Sequence, residues 1–282
     1  LSSELKNEVD QKGNSPLTRK QVMTVVWVVL AVLAAGGILF SVLVFSLGNR
    51  APRADAPLTA ITQYSYEAAE ASNGLKLHIL KTKPAYVTLE VVNENVTLTN
   101  KVGINGGFFY GESLISMGVV NGYAVNGDMN GYGSGGENLK YARGTLVWDG
   151  ASDTLSVQTV SKASEVKVKD HSRFWAQGGI SMSLSDDEAW RNIAEAEHAP
   201  FPDDLRLRSG AVYDGAGNLY LVVSENGGTL EAFRSAVIEK VGAGELVDGI
   251  FLDGDGSSQL LSKEMSLAGD NRPVLQMLRI TK

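Results

Sequence analysis

Cysteine is absent from the 282 residues and histidine occurs only three times. The missing cysteines exclude disulfide scaffolds, thiol nucleophiles and zinc sites built on thiolates. They also suit a domain that faces an oxidising exterior without bridges. His78, His171 and His198 are scattered, and none falls in a glycine-rich motif. Neither a histidine metal cluster nor a Ser-His-Asp triad is therefore indicated. Basic residues are outnumbered, 25 Lys+Arg against 32 Asp+Glu for a net charge of −7. Such a chain has no electrostatic footprint for nucleic acid, and no nucleic-acid partner is expected.

Charge is also missing locally. From Gln21 to Asn49 no residue is charged, and the stretch is almost continuously apolar. About 20 such residues cross a bilayer, so a transmembrane helix is expected over 21–49. The run is about twice the length of a signal-peptide apolar region, which disfavours a cleaved leader. Lys6, Lys12, Arg19 and Lys20 precede it, whereas Arg50 and Arg53 follow. That bias predicts a single-pass cell-membrane protein with a cytoplasmic N-terminus and an extracytoplasmic C-terminal part. The expected organisation is a tail over 1–20, the span over 21–49, a Pro-containing linker over 50–60 and a globular domain over 61–282.

Within the globular part, alternating apolar residues at Leu75, Leu77, Ile79 and at Val87, Leu89, Val91 predict strands. Hairpins are expected to turn at Asp149-Gly150 and across Asp214–Asn218. A helix over 229–241 carries Leu230, Phe233, Val237 and Val241 on one face, with Thr229 as its cap. A shorter helix with an acidic first turn is expected over 186–199. Strands dominate, so the fold class is α+β, a mixed-sheet domain with few helices. The loop 121–136 holds six glycines and is a candidate lid over a site.

The stretch "GIFLDGDGSS" at 249–258 places two aspartates on a turn after an apolar run. Three chemistries use such a string. A phosphatase-type aspartyl nucleophile matches locally, but only 24 residues follow Ser258, too few for the further strands that chemistry needs. A calcium loop would use Asp253, Asp255, Ser257 and Glu264, yet Ser258 stands where the sharp turn wants glycine. The third reading takes the turn with its companions "GINGGFF" (103–109), "AQGGISM" (176–182), "LRSGAVYD" (207–214) and "LVVSE" (221–225).

In order and spacing these five stretches resemble the phosphodiester glycosidase family, that of the lysosomal uncovering enzyme and of bacterial exopolysaccharide-linked relatives. The resemblance covers roughly residues 75–280. It implies a hydrolase that cleaves a glycosyl (sugar-1-phosphate) phosphodiester, here in a cell-envelope or extracellular glycan. The alternative is a non-catalytic domain of the same fold that binds a glycan or an envelope protein. The family often has glycine where this chain has Asp255. Such hydrolysis passes through an oxocarbenium-like state, which a carboxylate stabilises or supplies with activated water. Asp253 and Glu225, each at the end of an apolar run, are the expected catalytic pair. The helix between their strands would set those strands side by side in parallel. Arg208 matches the family's arginine and is expected on the phosphate. Asn105, Gly106, Gly107, Gln177, Gly254 and Ser257 are the expected substrate contacts. No cofactor is certain, and Asp255 is the candidate ligand for a divalent cation.

Overall fold

The computed structural model describes residues 18–48 and 58–282. The chain divides into two units, 1–55 and 56–282. In the first, α1 (Arg19–Gly48) is a continuous helix of 30 residues. Its described side chains over 18–33 are all exposed. Among the described residues no helix is long and apolar enough to cross a membrane, so the expected span over 21–49 is not met there. Apart from Gly36 and Gly37, the side chains beyond residue 33 of that run lie outside the described residues, as do the tail over 1–17 and most of the linker.

The second unit is built mainly from strands. Along the chain come β1 (Tyr64–Glu70), β2 (Lys76–Thr82), β3 (Val87–Glu94), β4 (Gly103–Asn105), β5 (Phe109–Tyr110) and β6 (Ser113–Leu114). Then follow β7 (Gly118–Val120), β8 (Tyr123–Ala124), β9 (Arg143–Asp149), β10 (Thr154–Val160), β11 (Phe174–Gly178) and β12 (Ile180–Ser181). After helix α2 (Trp190–Ala196) the chain forms β13 (Ser209–Asp214), β14 (Leu219–Ser224), helix α3 (Leu230–Lys240) and β15 (Leu246–Phe251). It ends with β16 (Leu260–Leu261), β17 (Ser266–Leu267) and β18 (Val274–Ile280).

The six-stranded sheet has the order β1-β2-β14-β13-β15-β12. Two five-stranded sheets run β10-β9-β11-β7-β8 and β17-β16-β4-β18-β3. Every pairing between these strands is antiparallel, which corrects the expected mixed sheet. The α+β class itself is as expected.

Strand β14 shows why some segments read as unbroken apolar runs. Leu219, Leu221 and Val223 enter a core shared with Ile104, Leu146, Trp175 and Leu278 of the other sheets. Tyr220 and Val222 point the other way, against Leu230, Phe233 and Val237 of α3. With both faces covered, alternation disappears from the sequence. The Thr229 hydroxyl accepts the Ala232 N–H and caps α3, and Gly242 at φ +69° takes the left-handed turn beyond its end. Each apolar side chain that α3 buries stabilises the fold by about 1.5–3 kcal/mol.

Strands β14 and β15 are parallel but not adjacent, because β13 lies between them. The hairpin turn after Asp214 commits the edge of β14 to β13, so α3 returns the chain to the far side of β13. Two inter-strand steps of about 4.8 Å then separate β14 from β15. The expected side-by-side placement of Glu225 and Asp253 is corrected accordingly.

Candidate functional site

Asp253 follows β15, where the strand leaves the core. Its backbone N–H donates to the Gly106 carbonyl at 3.2 Å, and its own carbonyl accepts the Asn105 amide at 2.8 Å. The next N–H, that of Gly254, donates to the Asp253 carboxylate at 3.1 Å. Burial pushes the Asp253 carboxyl up to about 6, with the Ser257 and Gly254 hydrogen bonds and the Arg272 charge pulling the other way. A carboxyl poised there changes protonation near neutral pH, which acid–base chemistry requires.

Arg208 precedes β13 and shares a cleft of about 270 Å³ with Asp253. Its guanidinium is buried and donates to three carbonyls, those of Gly228 (2.9 Å), Phe201 (2.8 Å) and Asp204 (2.8 Å). No carboxylate forms an ion pair with it among the described residues. Burial and the neighbouring Arg206 lower its pKa to about 10, so it stays cationic at neutral pH. A buried cation that hydrogen-bonds carbonyl oxygens, with the Asp204 and Asp255 charges near but not bonded to it, is prepared to receive an anion.

Arg143, Arg206 and Arg272 also line the cleft. Arg206 is committed to Asp204 and Asp255, and Arg272 to Asp270. Arg143 donates to the Glu197 carbonyl at 3.1 Å and sits 5.5 Å from the centres of the Phe108 and Tyr141 rings. Arg143 and Arg272 lie far along the chain from any of the five stretches, and Arg206 lies just outside one of them; sequence reasoning assigned none of the three to the site.

Asp255 is tied up by Arg206 at 2.8 Å, and its φ of +56° is the left-handed conformation in which glycine is at ease. Asp is among the residues that tolerate that region. The residue therefore occupies a glycine-type turn position. Among the described residues no group of three His, Asp or Glu could hold a metal ion. Glu264, the last position of the calcium-loop reading, instead accepts the Tyr64 hydroxyl at 2.9 Å.

Other expected contacts are placed elsewhere. The Asn105 side chain is buried, accepting from Ser209 Oγ (2.8 Å) and the Gln259 N–H (3.1 Å) while its amide holds the Asp253 carbonyl. It positions the aspartate turn and is absent from the cleft wall. Gln177 is fully buried and accepts the Gln276 amide at 2.6 Å. Gly107 leaves room for that network, since a Cβ there would come within 2.0 Å of Ser116 Oγ and 2.6 Å of Gln177 Nε2. Gly106 does the same for Gln276, whose Oε1 would be 2.3 Å away. Ser257 is buried and bonded to the Asp253 carboxyl. Of the expected site, Asp253, Gly254, Asp255 and Arg208 line one cleft.

Glu225 does not line it. It extends β14 on the face of Leu221 and Val223, and its carboxylate meets His78 Nε2 at 3.1 Å. His78 Nδ1 in turn bonds the Tyr66 hydroxyl at 2.8 Å. By strand alternation Asp253 shares the opposite face, that of Phe251. The glycine-rich loop 121–136 borders other cavities, beside His171 and Phe174 and beside Asn93, and contributes nothing to the wall of this cleft. Asn95, which with Val96 and Thr97 spells an N-glycosylation sequon, is buried and accepts the Thr97 N–H at 3.0 Å.

No protein-family model and no curated protein matches the chain. Among solved structures, the chain is similar to the zebrafish N-acetylglucosamine-1-phosphodiester alpha-N-acetylglucosaminidase catalytic domain auto-inhibited by its pro-peptide. The TM-score is 0.56 at 15% identity, covering 78% of this chain and 82% of that one. A hypothetical protein from Synechocystis matches at a TM-score of 0.42 and 14% identity, over 77% of this chain and 61% of that one. The likeness to the zebrafish domain is one of fold.

Proposed function

We propose that this chain is a hydrolase that cleaves a sugar-1-phosphodiester at the bond between sugar C1 and the phosphate oxygen. The carrying observation is the cleft that brings the buried Arg208, hydrogen-bonded to carbonyls alone, beside Asp253 with its raised pKa. The fold likeness to a phosphodiester glycosidase domain supports the same reading.

In this mechanism Asp253 is ionised and takes a proton from water as the water oxygen bonds C1. The C1–O bond breaks, and its electron pair leaves with the phosphate. A phosphodiester carries one negative charge and the departing phosphomonoester gains another, so charge grows on the phosphate side of the transition state. Arg208 and Arg143 lie ready to receive it, in a partly desolvated cleft where such stabilisation is strongest. Acid assistance matters less here than for ordinary glycosides, because phosphate is already a good leaving group. A single free carboxylate is therefore sufficient, consistent with Asp255 paired to Arg206 and Glu225 on the opposite face. Asn105 and Ser257 hold the turn that presents Asp253.

The natural setting we propose is a cell-envelope or extracellular glycan, with residues 21–49 as a membrane anchor. The uncharged run and the excess of basic residues before it support that placement, and alkaline extraction of membranes carrying the full chain tests it. The activity test is hydrolysis of a panel of sugar-1-phosphodiesters by the full chain beside Asp253→Asn. A parent that binds these compounds yet turns none over would favour the binding-domain alternative.

A further inference from the structure

The cleft wall is made of two kinds of side chain and lacks a third. Phe108, Phe109, Ile115, Pro200 and Phe201 are apolar, while four arginines and two aspartates are charged. Among the described lining residues there is no Ser, Thr, Asn, Gln, Tyr, His or Trp. Those neutral polar groups are the usual means of fixing a ligand's hydroxyls. Of the charged side chains, Arg206, Asp255 and Arg272 are already ion-paired, which leaves few polar groups for the hydroxyls of a second sugar.

Phe201 is the most telling of the apolar group. It leaves 58% of its surface open although it is a large hydrophobic residue. Its backbone has φ +49°, a strained value for a bulky side chain. The strain is held in place from two sides. Arg206 lies over its ring at 3.9 Å, and its carbonyl accepts Arg208 Nη2 at 2.8 Å. The same arginine that faces the anion thus fixes an exposed aromatic surface beside it. None of the four buried hydrophobic clusters includes Phe201, so core packing does not explain its place.

We infer that the alcohol esterified to the phosphate is apolar, an alkyl or aryl group lying along Phe201, Phe109 and Ile115, rather than a second sugar. This rests on the phosphodiester reading above. The ligand is then an amphiphile whose anionic centre meets Arg208 and Arg143 and whose apolar arm takes the phenylalanine wall.

The test uses the full chain and methyl, n-butyl, n-hexyl and hexosyl esters of one hexose 1-phosphate. Each methylene that enters the wall is expected to raise kcat/KM by roughly 3–4-fold. The hexyl ester should exceed the methyl ester by at least about tenfold, with the hexosyl ester no better than methyl. Phe201→Ser should shrink the hexyl-to-methyl ratio, whereas Phe201→Leu should preserve it, with circular dichroism confirming that both fold. A flat series, or a hexosyl ester that matches hexyl, overturns the inference and assigns the aromatic wall to a sugar ring. If no ester is hydrolysed, the hydrolase reading fails separately, and calorimetry with n-hexyl phosphate against glycerol phosphate decides the inference. Tighter hexyl phosphate binding that weakens in Phe201→Ser upholds it, and equal binding of the two probes refutes it.

Discussion

Replacing Asp253 with asparagine should stabilise the protein at alkaline pH while removing its activity. Burial moves the Asp253 carboxyl from 3.8 to about 6, which corresponds to about 3 kcal/mol of preference for the neutral form. Between about pH 4 and about pH 6 the native state therefore holds a proton that the unfolded chain has released. This site's contribution to stability is complete below about pH 4 and is lost as pH rises through about 6. Above that, the native protein bears a half-buried, largely desolvated ionised carboxylate. Asparagine is neutral at every pH and still accepts from the Gly254 N–H and from Ser257. Asp253→Asn should thus match the parent within about 0.5 kcal/mol near pH 4 and exceed it by about 2–3 kcal/mol near pH 8, or roughly 5–10 °C in Tm. Urea unfolding followed by fluorescence of the buried Trp148, Trp175 and Trp190 measures this directly. In the parent, kcat/KM should climb with pH through about 6, because the ionised form accepts the proton from water. Equal destabilisation of Asp253→Asn at both pH values would refute the reasoning, since the aspartate would then be a structural carboxylate with no desolvation cost.

Arg208→Lys keeps the charge but cannot reach three carbonyls at once, and should lower kcat/KM by about 10²–10³-fold. Steady-state kinetics on any hydrolysed ester checks it. Glu225→Gln should fall short of the Asp253→Asn loss by at least about a hundredfold, because Glu225 faces His78 and not the cleft; equal losses in side-by-side rate measurements would return it to the mechanism. Asn105→Ala removes the amide that holds the Asp253 carbonyl and strands two buried donors, so urea titration should show about 2–4 kcal/mol less stability. Gly107→Ala drives a Cβ into Ser116 Oγ, Gln177 Nε2 and the Gly178 carbonyl, and should cost about 1–3 kcal/mol by thermal melting.

Much of the fold was legible along the chain because it rests on local rules. Alternation gave β2 and β3, turn residues gave the β9–β10 and β13–β14 hairpins, and Thr229 with the spacing of Leu230, Phe233 and Val237 gave α3. The helix expected over 186–199 spans only Trp190–Ala196, after a turn in which the Asp186 carboxylate accepts the Ala189 N–H. Asp253 could be singled out because it ends an apolar run inside a turn dense in glycine and serine, 249–258.

What sequence could not decide depends on which neighbours a residue meets. A period of two along a strand separates residues onto two faces but does not say which face holds the cleft. Glu225 and Asp253 looked alike in sequence, yet the insertion of β13 and one step of strand phase put them on opposite sides of the six-stranded sheet. Asn105, Gln177 and the Gly106-Gly107 pair looked like ligand contacts because polar residues among glycines suggest close approach. The close approach is real, but it is of the protein to itself, through buried amides that must satisfy one another. The arginine wall shows the reverse case: Arg143, the Arg206–Arg208 pair and Arg272 come from three separate segments, and only their packing brings the charges around Asp253.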